Sequence, residues 1–273
     1  MKANRMNAPA TSDQKPADPP HVSHRGMEIL DLITVSGGNM KIQSIASALD
    51  VSEETVRRNL KPLSASGLVK RVHGGVYLKQ SSTELSFAQR MDENPRPKQR
   101  IAAHIAGLIS DGSSLFLDIG STTAFIAKAL RTHKELLVVT NSVAVAHTLA
   151  AHNNNRVFMP GGELRAHDGG IFGAQVIDFI KPFHMDFAVL STAAINATNG
   201  FMLFDLEEAH YSRAIIERAS TRIIAADSSK FGRTAPISIG PASDVELLVT
   251  DAPPPADIAK AARDWSTEIV VAG

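Results

Sequence analysis

The sequence of 273 residues contains no cysteine, one tryptophan and two tyrosines. The absence of cysteine excludes disulfides, cysteine metal ligands and thiol catalysis. No apolar run approaches the roughly 20 residues that a membrane span needs, and no signal-peptide pattern is present. We therefore expect a soluble, cytoplasmic protein that is long enough for two folded domains.

The chain also lacks net charge, because 28 Lys and Arg balance 28 Asp and Glu. No overall field attracts nucleic acid. Residues 22–79, however, contain eight Lys or Arg against five acidic residues. This local excess favours the N-terminal part of the chain as a nucleic-acid-binding region.

Residues 40–75 have the pattern of a helix-turn-helix followed by a hairpin. Apolar residues recur at helical spacing in two adjacent segments: Ile42, Ile45, Ala46 and Leu49, then Val56, Leu60 and Leu63. Ser52 can cap the second helix. Glu53 and Glu54 are favourable beside the positive N-terminal end of this helix. Two β-like runs around Gly74-Gly75 predict a basic hairpin, the wing of a winged helix-turn-helix.

This unit predicts DNA binding by the exposed side of the second helix and by the wing. Arginine can reach guanine edges or phosphates, and asparagine can pair with adenine. The predicted DNA-binding residues are Ser44, Ser52, Glu53, Thr55, Arg57, Arg58, Asn59, Lys61, Lys70, Arg71 and His73. Pro62 is expected to kink or end the helix. The alternative is a helical hairpin whose basic face is merely solvated.

After residue 98, apolar strands alternate with helices. Strands are expected at 114–119, 136–140, 156–159, 186–190, 222–226, 245–250 and 268–271. Continuously apolar strands of this kind predict a largely parallel sheet covered by helices, an α/β domain. We therefore divide the chain into a disordered tail (1–21), a winged helix-turn-helix (22–79), a linker (80–97) and an effector domain (98–273).

Several loops that follow strands are rich in small residues and hydrogen-bond donors, and ligands bind at the carboxyl ends of such strands. Backbone N–H groups at a helix start bind anions, so the loops suit a small phosphorylated polyol. The predicted effector residues are Asp118, Gly120, Ser121, Thr122, Thr123, Thr140, Asn141, Gly161, Gly162, Glu163, Arg165, Asp168, Gly169 and Lys230. Any one of these loops can instead be a simple helix cap.

The runs V-S-E-E-T-V-R-R-N-L (51–60) and G-L-V-K-R-V-H-G-G (67–75) resemble the N-terminal signature of the DeoR family of bacterial transcriptional regulators. That family has Asp where this chain has Asn59, a change that removes a negative charge near the DNA. Lys98, D-I-G-S-T-T (118–123), Glu207-Glu208 and S-K-F-G (229–232) resemble the family's sugar-phosphate-sensing domain.

The resemblance implies a second domain that is similar in fold to ribose-5-phosphate isomerase. It also implies that the regulator releases DNA when the effector binds to this domain. The resemblance in the longer runs, such as 161–173 and 229–233, implies sn-glycerol 3-phosphate as the effector and a homo-oligomer, a dimer or tetramer. The family has a Gly-rich segment where this chain has residues 190–196. The bulk of Ala193 and Ala194 is expected to keep the backbone farther from a ligand.

These observations predict a repressor of sugar or polyol phosphate metabolism, with double-stranded operator DNA and a phosphorylated effector as partners. No catalytic residue or cofactor is expected, and no metal is expected because the histidines lack metal-ligand spacing. One alternative is a sugar-phosphate isomerase fused to a DNA-binding module, for which Asp118, Glu163 and Asp168 are candidate bases. A sugar kinase is a further alternative, but it would need two large domains that clasp a nucleotide, and the chain after residue 98 is too short for both.

Overall fold

A computed structural model describes residues 23–35, 39–65, 68–72, 75–78 and 86–273. The expected disordered tail, His73 and the first part of the expected linker lie outside these residues. The chain divides into two units between Ser81 and Ser82. No helix in the described ranges is both long and apolar enough to cross a bilayer.

The first unit is a winged helix-turn-helix, as predicted. Its elements are α1 (His24–Val35), β1 (Asn39–Lys41), α2 (Ile42–Ala48), α3 (Glu53–Ala65), β2 (Val69–Val72) and β3 (Gly75–Leu78). The strands form an antiparallel sheet in the order β1-β3-β2. The predicted apolar faces of α2 and α3 are buried with Ile29 and Ile33 of α1 and with Val69 and Val76 of the wing.

Helix α3 begins at its predicted cap and continues past Pro62. The Thr55 amide donates to the hydroxyl of Ser52 at 3.2 Å, which confirms the predicted cap. The helix does not end at Pro62, however, and continues to Ala65. Proline removes one backbone hydrogen bond, but Leu63 is almost fully buried and holds the last turn against the core.

The second unit contains ten strands and seven α-helices among its described residues. Its first half contains α4 (Phe87–Asp92), α5 (Pro95–Leu108), β4 (Ser114–Leu117), α6 (Ser121–Ala129), β5 (Leu137–Thr140), α7 (Val143–Leu149), β6 (Arg156–Phe158) and α8 (Ala174–Ile180). Its second half contains β7 (Met185–Leu190), β8 (Ala194–Asn196), β9 (Gly200–Leu203), α9 (Leu206–Ile216), β10 (Ala219–Ala225), β11 (Ile237–Ser238), β12 (Leu247–Thr250), α10 (Ala256–Trp265) and β13 (Glu268–Val271).

Seven of these strands form the predicted parallel sheet, in the order β13-β12-β10-β7-β4-β5-β6. Alternate strand residues pack against α5, α6 and α7 on one face and against α8, α9 and α10 on the other. The chain leaves β4 for β5 on one side and returns to β7 on the other. The crevice between β4 and β7 is therefore the topological switch point, where such folds bind ligands.

Three features differ from the expectations. The strands β8, β9 and β11 form a separate small antiparallel sheet, which was not expected. Helices α8 and α10 were also not expected. The segment expected to link the domains up to residue 97 includes α4 and the start of α5, because Ser86 and Gln89 form a capping box that starts α4.

Candidate functional site

The basic residues predicted to contact DNA lie on the surface of the first unit. The exposed members of the predicted set are Ser44, Ser52, Arg57, Arg58, Lys61, Lys70 and Arg71. Three more, Glu53, Thr55 and Asn59, are half-buried. The exposed cations lie on α3 and on β2 of the wing, so the surface they form is the candidate nucleic-acid interface.

The two adjacent arginines of α3 differ in their surroundings. The Arg57 guanidinium lies 2.5 Å from a carboxylate oxygen of Glu53 and 4.0 Å from one of Glu54. Arg58 is exposed and forms no ion pair with any residue that the structure describes. Its charge is therefore available to a DNA phosphate or a guanine edge, whereas the charge of Arg57 is partly neutralised.

The side chain of Asn59 is engaged within the first unit. Its amide nitrogen donates to the carbonyl oxygen of Thr55 at 2.9 Å, and its oxygen accepts from the hydroxyl of Ser23 at 3.3 Å. Both bonds are with neighbouring protein groups. Asn59 was predicted to pair with adenine, and to do so it must break these two hydrogen bonds.

In the second unit, the switch point is built around the buried carboxylate of Asp118, the first residue after β4. The backbone amide of Ser191, which follows β7, donates to Asp118 Oδ2 at 2.8 Å. The Ser191 hydroxyl lies 3.4 and 3.5 Å from the two carboxylate oxygens. Burial raises the pKa of Asp118 well above its usual range, although the Ser191 amide opposes this rise.

The N-terminus of α6 opens directly beside this carboxylate. Ser121, Thr122 and Thr123 are buried, and no side chain caps the helix. The Thr123 hydroxyl donates to the carbonyl of Asp118 or of Gly120, each at 3.0 Å. The hydroxyls of Ser121 and Thr122 form no hydrogen bond with residues in the described ranges. Free amides, free hydroxyls and a positive helix end together form an anion-binding arrangement.

A loop, residues 161–173, packs against the end of β5. The Ile171 amide donates a hydrogen bond to the Asn141 carbonyl oxygen at 3.0 Å, and the Val143 amide donates to the Gly169 carbonyl oxygen at 3.2 Å. These bonds join the segment that contains Thr140 and Asn141 to the segment that contains Asp168 and Gly169. Gly161, Gly162 and Glu163 are exposed, and none of these hydrogen bonds involves them.

Arg165 lies at the centre of a carboxylate cluster. Its guanidinium binds Asp168 in a bidentate manner, contacts Glu208, and lies 3.1 Å from Asp205. It also stacks on the ring of Phe172, 4.1 Å from the centroid. Burial alone would raise the pKa of Asp168, but hydrogen bonds and charge from Arg165 and the amide of Gly170 lower it. The cation predicted to bind the effector is thus engaged by carboxylates.

Asn141 Oδ1 is buried and has no hydrogen-bond partner among the described residues, and the buried hydroxyl of Tyr211 has only a weak interaction with the backbone of Asn141. Burial, together with the nearby charge of Asp118, raises the pKa of Tyr211. Buried polar groups usually find a partner. These two atoms therefore mark a place where a water molecule or a ligand hydroxyl is expected.

A second cluster lies where β10 ends. Lys98 is almost fully buried, and its ammonium donates to the carbonyl oxygens of Arg90 and Glu93, at 2.7 Å for Glu93. Burial lowers its pKa to about 8, with Asp227 opposing and Lys230 adding to the fall. Asn94 donates to Asp227 at 3.2 Å. The predicted Lys230 therefore belongs with Lys98 and Asp227, at the same edge of the sheet as Asp118.

Sequence reasoning missed several residues of this edge as site residues. They are Lys98, Ser191, Glu208, Tyr211 and Asp227. Lys98 and Glu208 stood in the motifs that carried the family resemblance, which was a usable signal. Tyr211 and Ser191 gave none, because only the fold brings them to Asp118.

Comparisons with known proteins agree with both units. A model of the DeoR-like helix-turn-helix domain matches residues 25–82, and one of the DeoR C-terminal sensor domain matches residues 93–252. The glycerol-3-phosphate regulon repressor of Escherichia coli K12 is 38% identical over 246 residues, which cover 90% of this chain and 96% of the relative.

Two further proteins extend the comparison. The transcriptional repressor CsqR of the same organism is 36% identical over 240 residues, 88% of this chain and 92% of the relative. Ribose-5-phosphate isomerase A of Methanocaldococcus jannaschii is a similar solved structure, with a TM-score of 0.38 and 14% identity. That likeness covers 51% of this chain and 55% of the isomerase.

The similar full-length proteins are transcriptional repressors, in line with the expectation of a regulator rather than an enzyme. Both halves of the chain match models of the same family, in the order that the fold shows. The chain therefore belongs to the DeoR family of transcriptional regulators, with an N-terminal helix-turn-helix domain and a C-terminal sensor domain.

Proposed function

We propose that this protein represses genes of polyol phosphate metabolism in the cytoplasm and that sn-glycerol 3-phosphate relieves the repression. The observation that carries the proposal is the 38% identity, across 90% of the chain, to the Escherichia coli repressor named for glycerol 3-phosphate. The geometry of the two candidate sites supports each half of the proposal.

The DNA half of the proposal rests on the exposed cations of the first unit. Arg58 and Lys61 project from α3, and Lys70 and Arg71 from the wing. Such side chains neutralise phosphates and release counterions, so binding should weaken steeply with salt. In this proposal α3 lies in the major groove, as the second helix of a helix-turn-helix does, and Arg58 has the length and donors to read a guanine there.

The effector half rests on the N-terminus of α6. A phosphate there would accept hydrogen bonds from helix amides and from the hydroxyls of Ser121 and Thr122. Lys230, in the loop after β10 at the same edge of the sheet, supplies positive charge. sn-Glycerol 3-phosphate also has two hydroxyls, for which Asp118 and Asn141 offer acceptors. The ligand's size and its mixture of one anion with two alcohols therefore fit these groups.

Repression and its relief are coupled by differential binding. The effector must bind the DNA-competent arrangement less tightly than the released one, and the ratio of the two affinities sets the loss of operator affinity. A winged helix-turn-helix regulator normally reads a symmetric operator as a dimer. We therefore propose a homo-oligomer, a dimer or a tetramer, which light scattering with chromatography would establish.

The test is the affinity for operator DNA measured by fluorescence anisotropy at fixed salt, with and without sn-glycerol 3-phosphate. The DNA is first selected by the protein itself from a random-sequence library. Weaker binding with the effector supports both halves of the proposal. Tight binding that the effector leaves unchanged would retain the regulator and refute the effector, while the absence of any selected sequence would refute the DNA half.

A further inference from the structure

The side chain of Ser191 fills the crevice between β4 and β7. Its hydroxyl faces both carboxylate oxygens of Asp118 and lies 3.4 Å from the carbonyl oxygen of Ile119. The backbone of Gly120 packs directly under it, because a Cβ at position 120 would lie 2.1 Å from Ser191 Oγ and 2.9 Å from Ser191 Cβ. A side chain at position 120 would therefore force Ser191 to move.

This contact lies next to the anion-binding arrangement. Gly120 immediately precedes Ser121, the first residue of α6. A ligand whose phosphate lies on the α6 amides must extend its carbon chain from there toward the crevice of the switch point. The CH2–OH group of Ser191 occupies that crevice. The Ser191 amide and hydroxyl also face Asp118, the carboxylate that the proposed function assigns to the ligand hydroxyls.

We propose that Ser191 is the residue that sets effector size, restricting this site to three-carbon polyol phosphates and excluding pentose and hexose phosphates. The inference rests on the proposed function and deepens it. A short chain ends before the serine, whereas the additional carbons of a longer one meet its side chain. One added or removed carbon in a closed pocket changes affinity by about tenfold or more.

The neighbouring alanines do not have this role. Ala193 and Ala194 were the expected cause of a narrower site, but both are buried in apolar clusters. The Ala193 amide donates to the Met202 carbonyl at 3.0 Å, so the segment turns into the small sheet of β8 and β9. Their bulk supports that sheet, and Ser191 is the side chain of this segment that contacts Asp118.

The test compares wild-type protein with Ser191→Gly by calorimetric titration of sn-glycerol 3-phosphate, ribose 5-phosphate and inorganic phosphate. We expect the preference for the three-carbon ligand over ribose 5-phosphate to fall by about tenfold in the variant. Affinity for inorganic phosphate should not change, because it does not reach residue 191. Ser113→Gly, at the opposite end of β4, is the matched control and should keep the wild-type preference.

A second pair of variants tests the contact itself. Gly120→Ala should weaken binding of sn-glycerol 3-phosphate, since its Cβ collides with Ser191, and Ser191→Gly in the same chain should restore most of the loss. The effects of substitutions at two residues in contact do not add, whereas the effects at two independent residues do. Additive effects, or an unchanged preference in Ser191→Gly, would overturn the role of Ser191 while leaving the proposed function intact. Wild-type protein that binds none of the three phosphates would overturn both.

Discussion

Replacing Arg165 by methionine should destabilise the second unit in a way that depends on pH. Methionine keeps much of the length and apolar surface that stacks on Phe172 but removes the charge. It leaves Asp168, whose side chain is fully buried, without its guanidinium, and it removes the contact of Arg165 with Glu208, whose side chain is 9% exposed. Breaking a buried ion pair by removing one partner costs about 3–5 kcal/mol.

The pH dependence follows from Asp168. In the wild type its pKa is lowered, so its stabilising contribution is present above the ordinary pKa of an aspartate and is lost as pH falls through the lowered value. In the variant, burial without Arg165 raises the pKa of Asp168. Protonation at acid pH then relieves the unpaired charge. The difference in stability between the two proteins should therefore shrink as pH falls.

The assay is urea unfolding followed by tryptophan fluorescence. The chain has one tryptophan, Trp265, which packs against Phe201 in the second unit and so reports on that unit alone. At about 2 kcal/mol per molar urea, the expected loss lowers the midpoint by about 2 M at neutral pH. Arg131→Met, at an exposed arginine, is the control and should change stability by less than about 0.5 kcal/mol.

Two results would refute this reasoning. A loss below about 1 kcal/mol at neutral pH would mean that water or rearrangement compensates the carboxylates. A loss of full size that is the same at about pH 7.5 and about pH 4.5 would mean that Asp168 does not titrate between them, and that packing rather than charge is responsible.

Three further predictions concern single residues. Arg58→Ala should lower operator affinity about tenfold and reduce the slope of log affinity against log salt concentration by about 0.9. Arg57→Ala should have a smaller effect on both, because Glu53 already partly neutralises the Arg57 charge. Anisotropy at several salt concentrations measures both quantities, and equal effects of the two variants would contradict this prediction. At neutral pH the Asp118→Asn variant should unfold at a higher urea concentration than the wild type, because the raised pKa of Asp118 means that its charged form destabilises the folded state. Near pH 4 the two proteins should unfold at similar urea concentrations. A variant that is less stable than the wild type at both pH values would contradict this prediction. Thr122→Asp should abolish relief of DNA binding by sn-glycerol 3-phosphate while leaving DNA affinity unchanged, and normal relief in the anisotropy assay would exclude α6 as the phosphate site.

Local patterns in the sequence predicted much of the fold. The cap at Ser52 and the apolar spacing of Val56, Leu60 and Leu63 are interactions within a few residues, so the sequence displays them directly. The continuously apolar strands likewise predicted the parallel sheet. The small antiparallel sheet of β8, β9 and β11, whose strands are two to four residues long, was missed.

The chemistry of the site was harder to predict than the fold. Arg165 was expected to attract an anion, and no local pattern shows that Glu208, 43 residues later, contacts its guanidinium. Ser191 likewise meets Asp118 from 73 residues away. Polar groups whose partners are remote in sequence acquire their charge environment only from the fold. A sequence pattern that predicts a loop after a strand therefore locates a binding site, but it does not show which polar groups of that loop are available to a ligand.

The order of strands in the parallel sheet also affects how the chain is made. β4 lies between β5 and β7, and Ser114 at its start bonds to Asp186, 72 residues later. The second unit cannot complete this sheet until β7 has left the ribosome. The first unit pairs only nearby segments and can fold earlier during synthesis. Each growing chain should therefore carry a folded DNA-binding unit before its sensor exists, and at that stage no metabolite can control it.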